Sequence, residues 1–162
     1  MNNAGIALIK PFEEITLEEY QRVIAINQTS VFLGMQAVAP SMRRALGGSI
    51  VNISSIAACS SIPGNMVYTA AKCAIVGMSR VAALELVKDN IRVNTLLPGL
   101  IWTPLVAETA AATVAKLSEA IPMKRMATVE EVSHLVVYLA SDESSYSTGS
   151  DFVVDGGIRA SR

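Results

Sequence analysis

The first pattern along the chain is helical. Tyr20, Ile24, Asn27, Val31, Met35, Val38 and Met42 recur at steps of three and four residues, which predicts one stripe on one face of a helix. Thr16 followed by Glu19 is a capping box and marks where that helix starts. Asn27 is the polar exception in the middle of the stripe. Pro40 lacks an N–H and is expected to kink or break the helix near its end. The period then changes. In "GGSIVNISS" a Gly-Gly turn precedes Ile50, Val51 and Ile53, a short β-branched run that predicts a buried strand with Ser54 and Ser55 at its carboxyl end. A loop and a second helix from about Met66 to Lys88 follow. "NIRVNTLLPG" reads as another strand, stopped by Pro98-Gly99. "TPLVAETAAATVAKLSEAI" is an alanine-rich amphipathic segment, and "TVEEVSHLVVYLAS" is a helix opened by a second capping box, Thr128 with Glu131. "DFVVDGG" is a last short strand.

Strands alternating with helices predict parallel pairing and right-handed crossovers. There is no internal repeat, low-complexity stretch or linker, so residues 1–162 read as one domain. Composition sharpens this picture. Apolar residues make up 51% and charged residues 17%, against about 25% charged in an ordinary soluble domain. Such a sequence buries much surface, including a subunit interface. The net charge of −1 gives no electrostatic footprint for nucleic acid. No basic run suggests a membrane surface, and no run of about 18 apolar residues suggests a span. "MNNAGIALIK" has no charged-then-apolar signal pattern, so a cytoplasmic location is the expectation. Cys59 and Cys73 have neither metal-site spacing nor a disulfide framework, and the single His134 cannot build a metal site alone.

Candidate chemistry gathers where the strands end. In open parallel α/β sheets, ligands bind at the carboxyl ends of the strands. Ser55 ends one strand, Pro98-Gly99 ends the next, and Asn3-Ala4-Gly5 follows what reads as a clipped strand. Tyr68 and Lys72 stand early in the helix after Ser55, four residues apart and hence on one face. A free phenol has a pKa near 10. A neighbouring ammonium favours the phenolate, and a tyrosine tuned this way can exchange a proton with a substrate oxygen. A serine hydroxyl can hydrogen-bond the same oxygen. Alone, such a Tyr/Lys pair is ordinarily a surface pair, the serine a turn cap, and Asn27 a satisfied structural asparagine. The order and spacing of the set carry the case.

In that order the sequence resembles the short-chain dehydrogenase/reductase family. "NNAG" at 2–5, Asn27 in "IAINQTSVF", "GSIVNISS" at 48–55, "YTAAK" at 68–72, "IRVNTLLPG" at 91–99 and "SSYSTGSDFVVDGG" at 144–157 match its motifs over nearly the whole length. The resemblance implies an α/β, Rossmann-like doubly wound parallel sheet. It implies an oxidoreductase that moves a hydride between NAD or NADP and a small secondary alcohol or ketone. Tyr68 would be the general acid/base. Lys72 would lower its pKa and bond the nicotinamide ribose, and Ser55 would hold the substrate oxygen. Asn27 would position a water in a relay ending at Lys72, the linked waters satisfying its buried amide. Asn3, Ala4, Gly5, Pro98, Gly99, Ile101 and Thr103 would line the cofactor. No metal is implied. The helices around residues 20–44 and 66–88 would pair with their mates in a homo-oligomeric dimer or tetramer. Within the family the sequence looks most like bacterial hydroxysteroid dehydrogenases, then acyl-carrier-protein ketoreductases. Substrate contacts would fall in the loops at 57–65 and 105–120.

One family feature has no counterpart. The ten glycines never form TGxxxGxG, the turn that lets backbone approach a pyrophosphate at a helix N-terminus. The expectation is therefore the catalytic and C-terminal portion of the fold, about 80 residues short at roughly 30 residues per βαβ unit. The adenosine half of the cofactor site, and the residue that discriminates NAD from NADP, would be absent. An apolar sheet edge would be exposed and the isolated protein poorly stable. The rival expectation is an inactive remnant that acts, if at all, as an interaction module for a full-length relative.

Overall fold

The computed structural model describes residues 1–60, 62–103, 106 and 111–161. Among them, helix α1 spans Leu17–Ile24 and α2 Ser30–Arg44, strand β1 Gly48–Ile53, helix α3 Met66–Leu86, strand β2 Ile91–Pro98, helices α4 Ala111–Glu119 and α5 Val129–Ala140, and strand β3 Asp151–Val154. Both expected capping boxes form. Thr16 accepts from Glu19 N–H while the Glu19 carboxylate accepts from Thr16 N–H, and Thr128 and Glu131 do the same at α5. Residues 104–105 and 107–110 of the expected amphipathic segment lie outside the described residues, and α4 occupies its second half.

The sheet is parallel, in the order β1-β2-β3. On the free side of β1, Asn2 adds a one-residue parallel bridge: its N–H donates to the Val51 carbonyl at 3.0 Å, and its own carbonyl accepts from Ile53 N–H at 2.9 Å. Side chains alternate across the sheet, as a two-residue period requires. Ile50, Ile91 and Val93 face α2 and α3, where Val31, Met35, Ile75, Ala83 and Leu86 cover them. Val51 and Leu96 face the opposite way, onto Leu139 of α5. Helices on both faces explain why β2 is almost wholly buried.

The first helical stripe differs from its sequence pattern. Between α1 and α2 the backbone makes a π-helical turn, Ala25–Thr29, centred on Asn27. The wider turn resets the phase, so the buried positions are Val23, Asn27, Val31, Met35 and Ala39, at even steps of four. Tyr20 and Val38, expected inside, are 43% and 38% exposed. Pro40 does not end the helix, which continues to Arg44. Pro40 is exposed, so the hydrogen bond it cannot donate leaves no shielded group without a partner. Gly34 lets α2 pass close to Asn2: a Cβ there would stand 2.3 Å from Asn2 Oδ1.

Candidate active site

The site is built on the carboxyl end of β1 and the first turns of α3. Strand alternation turns Ser54 toward α3, where its hydroxyl donates to the backbone carbonyl of Lys72 at 2.8 Å. Lys72 answers with its Nζ, which donates to the backbone carbonyl of Ile53 at 2.9 Å. These reciprocal bonds fix the helix to the strand end. Ser54 was legible only as part of a Ser-Ser pair; its role follows from the alternation that sends Ser54 and Ser55 to opposite sides. Ser55, next along, caps a short 3-10 turn, accepting from Ala57 N–H at 3.1 Å.

Lys72 is only 4% exposed. Burial disfavours its charged form and lowers its pKa from 10.5 to about 8. Its Nζ stands 5.5 Å from the centroid of the Tyr68 ring, over the face rather than at the hydroxyl. Burial pushes the Tyr68 pKa above its ordinary value of 10, and Ser55, close by but without a full hydrogen bond, acts weakly the other way.

Asn27 is fully buried, and its amide makes two hydrogen bonds to backbone. Oδ1 accepts from Ile6 N–H and Nδ2 donates to the Ile6 carbonyl, both at 2.8 Å. The partner is the backbone just after NNAG. This clamp carries Gly5 across the lysine, since a Cβ on Gly5 would lie 3.5 Å from Asn27 Oδ1 and 3.7 Å from Lys72 Nζ. Asn3 and Ala4 are exposed on the same segment.

Ser55, Tyr68 and Gly99 meet at a cavity of about 280 Å³ whose other walls include Asn65, Leu100 and Ile158. Ile101 and Thr103 are not in its wall. Ile101 instead bridges to Ala127, and Thr103 is partly buried beyond it. Two groups of expected residues thus assemble: Ser55, Tyr68 and Gly99 around the cavity, and Gly5, Asn27 and Lys72 behind it. Among the described residues there is no cluster of three metal-ligating side chains, and no helix is long and apolar enough to cross a membrane. A larger groove, about 760 Å³, lies elsewhere, between Phe32, Met35 and Ala39 of α2 and Gly77, Met78 and Val81 of α3. It carries Arg43 and Glu85 but none of the expected site residues.

The fit of this site to a nicotinamide riboside can be tested on Lys72. An ammonium has three donors. One goes to Ile53, and among the described residues no acceptor takes the other two. Two free donors on a buried cation suit a vicinal diol such as that of ribose.

A family model described as enoyl-(acyl carrier protein) reductase matches residues 1–159. The chain is 48% identical over 163 residues to 3-alpha-(or 20-beta)-hydroxysteroid dehydrogenase from Mycobacterium tuberculosis, covering 99% of this chain and 60% of that protein. Among solved structures, it superposes on a 3-oxoacyl-[acyl-carrier protein] reductase from Brucella melitensis with a TM-score of 0.93 and 37% identity, covering 97% of this chain and 61% of that one. It superposes on 4-hydroxyisoleucine dehydrogenase complexed with NADH with a TM-score of 0.94 and 32% identity, covering 99% and 68%. The chain spans about three fifths of the length of the curated relatives it matches. It belongs to the short-chain dehydrogenase/reductase family, and its three parallel strands and their helices are the Rossmann-like part of that fold.

Proposed function

From this family membership and the Ser55, Tyr68 and Lys72 geometry, we propose that the protein holds the catalytic residues of a nicotinamide-dependent oxidoreductase acting on a secondary alcohol or ketone. The observation that carries the reading is the phenol of Tyr68 facing an apolar cavity beside Ser55, with a buried, under-partnered lysine behind it. NAD or NADP, when bound, supplies or accepts the hydride at the substrate carbon. Lys72 would hold the ribose hydroxyls with the donors it does not give to Ile53. Ser55 hydrogen-bonds the substrate oxygen. Tyr68 gives its proton to that oxygen as a carbonyl is reduced, and takes one back in the oxidative direction. Asn27 acts through Ile6 and Gly5, holding the segment that passes over Lys72. Asn3, Ala4, Pro98, Gly99, Ile101 and Thr103 remain the cofactor-side candidates.

Resemblance to hydroxysteroid and acyl-carrier-protein reductases, and an apolar cavity, favour an alicyclic or acyl carbonyl substrate. The apolar groove between α2 and α3, with Phe32 and Val81 about half exposed, supports a second copy of this protein as partner, in a cytoplasmic dimer or tetramer. The same apolar groove also fits one rival: a module that docks on a full-length relative without turning over substrate.

The test is fluorescence titration with NADH and NADPH, with molar mass measured on the same sample, then turnover with cyclic and acyl ketones. Saturable binding followed by turnover supports the proposal. Tyr68→Phe should then cut the rate by at least about 100-fold with an unchanged melting temperature. Normal rates in that variant would refute the assignment. Cofactor-free association with a longer relative, and no turnover, would favour the rival.

A further inference from the structure

We propose that Ile158 sets the size limit of the cavity at Ser55 and Tyr68 and restricts its substrates to alcohols and ketones carried on a single alicyclic ring. The inference rests on the alcohol/ketone reading above and adds the substrate class: one ring rather than a fused multi-ring skeleton.

Ile158 reaches the cavity because the chain turns back on itself just after β3. Gly156 and Gly157 take φ of +63° and +90°, the left-handed region that favours glycine. The Asp155 carboxylate holds this turn. Its Oδ1 accepts from Gly157 N–H at 2.9 Å, and its Oδ2 accepts from Arg159 N–H at 2.7 Å. Close packing pins the turn on two sides. A Cβ on Gly156 would stand 2.7 Å from Ile121 Cγ2, and a Cβ on Gly99 would stand 2.7 Å from Asp155 Cα. Gly99 itself lines the cavity, so the turn that carries Ile158 rests directly against another part of the cavity wall.

Of residues 155–161, Ile158 alone is buried, at 4% exposure. It belongs to one apolar cluster with Ile121 and Met126, against which Ile56, Leu100 and Leu117 pack. Ile56, Leu100, Leu117 and Ile158 are also the cavity's apolar wall. A close-packed side chain on a clamped turn does not yield to a bulkier ligand without shifting backbone. The space it bounds is about 280 Å³, below the about 300 Å³ at which pockets for drug-sized ligands begin. One alicyclic ring can stand there with its oxygen at Tyr68 and Ser55. Against an apolar wall, burial alone would favour the larger of two ketones. A size limit at Ile158 removes that advantage, and trimming Ile158 restores it.

The experiment measures dissociation constants by NMR titration of the 162-residue protein with cyclohexanone and with the two-ring ketone trans-2-decalone, in the wild type, Ile158→Val and Ile158→Ala. Melting temperatures are taken on the same samples. The wild type should bind the decalone no more tightly than cyclohexanone. Ile158→Ala should bind the decalone about ten-fold more tightly than the wild type does, with cyclohexanone changed by less than about two-fold. Ile158→Val should fall between them, and it decides the matter alone if Ile158→Ala does not fold. Tighter binding of the decalone than of cyclohexanone in the wild type, no measurable binding of cyclohexanone, or a ratio of the two that no folded variant moves would each overturn the proposal. Turnover of both ketones with NADH and NADPH is measured in parallel. A ratio moved by Ile158 without turnover of either ketone would refute the oxidoreductase reading and leave the size limit standing. Turnover with an unmoved ratio would do the reverse.

Discussion

Replacing Lys72 by methionine separates what the lysine does for chemistry from what it does to stability. The side chain is 4% exposed, and burial has lowered its pKa from 10.5 to about 8. Its folded-state pKa lies below its unfolded one, so between those values the unfolded state binds the extra proton and stability rises with pH. At about 1.4 kcal/mol per pH unit, the full gap is about 3 kcal/mol, of which about 2.5 kcal/mol is realised by pH 10. Below pH 8 both states are protonated and the lysine contributes its full penalty. K72M carries no such group. Urea unfolding of both proteins at matched concentration, at pH 7, 8, 9 and 10, gives the difference in which other titrations cancel. Relative to K72M, the wild type should be flat up to about pH 7.5 and then gain about 2.5 kcal/mol by pH 10. A difference that stays constant across that range would mean Lys72 is not desolvated in the folded protein, and the argument for its two free donors would fall with it. The loss of the bond to Ile53 lowers the K72M curve at every pH and does not affect the slope.

Two further outcomes follow from other parts of the fold. Asn27→Leu removes both bonds to Ile6 and should cost about 2–4 kcal/mol in denaturant unfolding, whether or not the protein is active; a change under about 0.5 kcal/mol would show that Ile6 is not held there. The Glu131 carboxyl, bonded by Arg125 and the Thr128 N–H, is held down to about 2, so its NMR titration should fall near that pH and move up toward 4.5 in Arg125→Ala, while an unmoved titration would mean the ion pair does not form.

Much of this fold is legible in the sequence because its signals are local. The two capping boxes are satisfied within four residues, and the β-branched runs of β1 and β2 need only the two-residue period to place Ile50 and Val51 on opposite faces. The π-helical turn at Ala25–Thr29 was not legible. Hydrophobic steps of three and four residues describe an unbroken α-helix, and a single wider turn moves Tyr20 and Val38 outward without changing any residue type. The candidate site divides the same way. Ser55, Tyr68 and Lys72 could be named from order and spacing. The direction of the Tyr68 pKa could not, because it depends on how much water remains around the ring, which is not a property of a four-residue spacing. The partner of Asn27 was hidden for a third reason: it is backbone, 21 residues away, and backbone groups carry no sequence signal.

The buried polar residues make a pattern with a mechanical reading. Asn2, Asn52 and Ser79 form one series of hydrogen bonds across β1, from Asn2 Nδ2 to Asn52 Oδ1 at 2.7 Å and from Asn52 Nδ2 to Ser79 Oγ at 2.9 Å. Ser54 and Lys72 form a second, and Asn27 with Ile6 a third. The first two lie on the face of β1 that meets α2 and α3, where apolar residues would pack as well and cost less to desolvate. Apolar packing tolerates small slides between a helix and a strand, whereas a set of directional bonds from the strand to the helix does not. Tyr68 and Ser55 sit on the two elements joined most tightly by this set, one turn before Lys72 and one residue after Ser54. A proton donor and a hydrogen-bonding hydroxyl that must meet one substrate oxygen require that kind of fixed separation. The stability sacrificed at Lys72 is therefore coupled to positional accuracy at the cavity, which is why the perturbation that relieves the one should abolish the other.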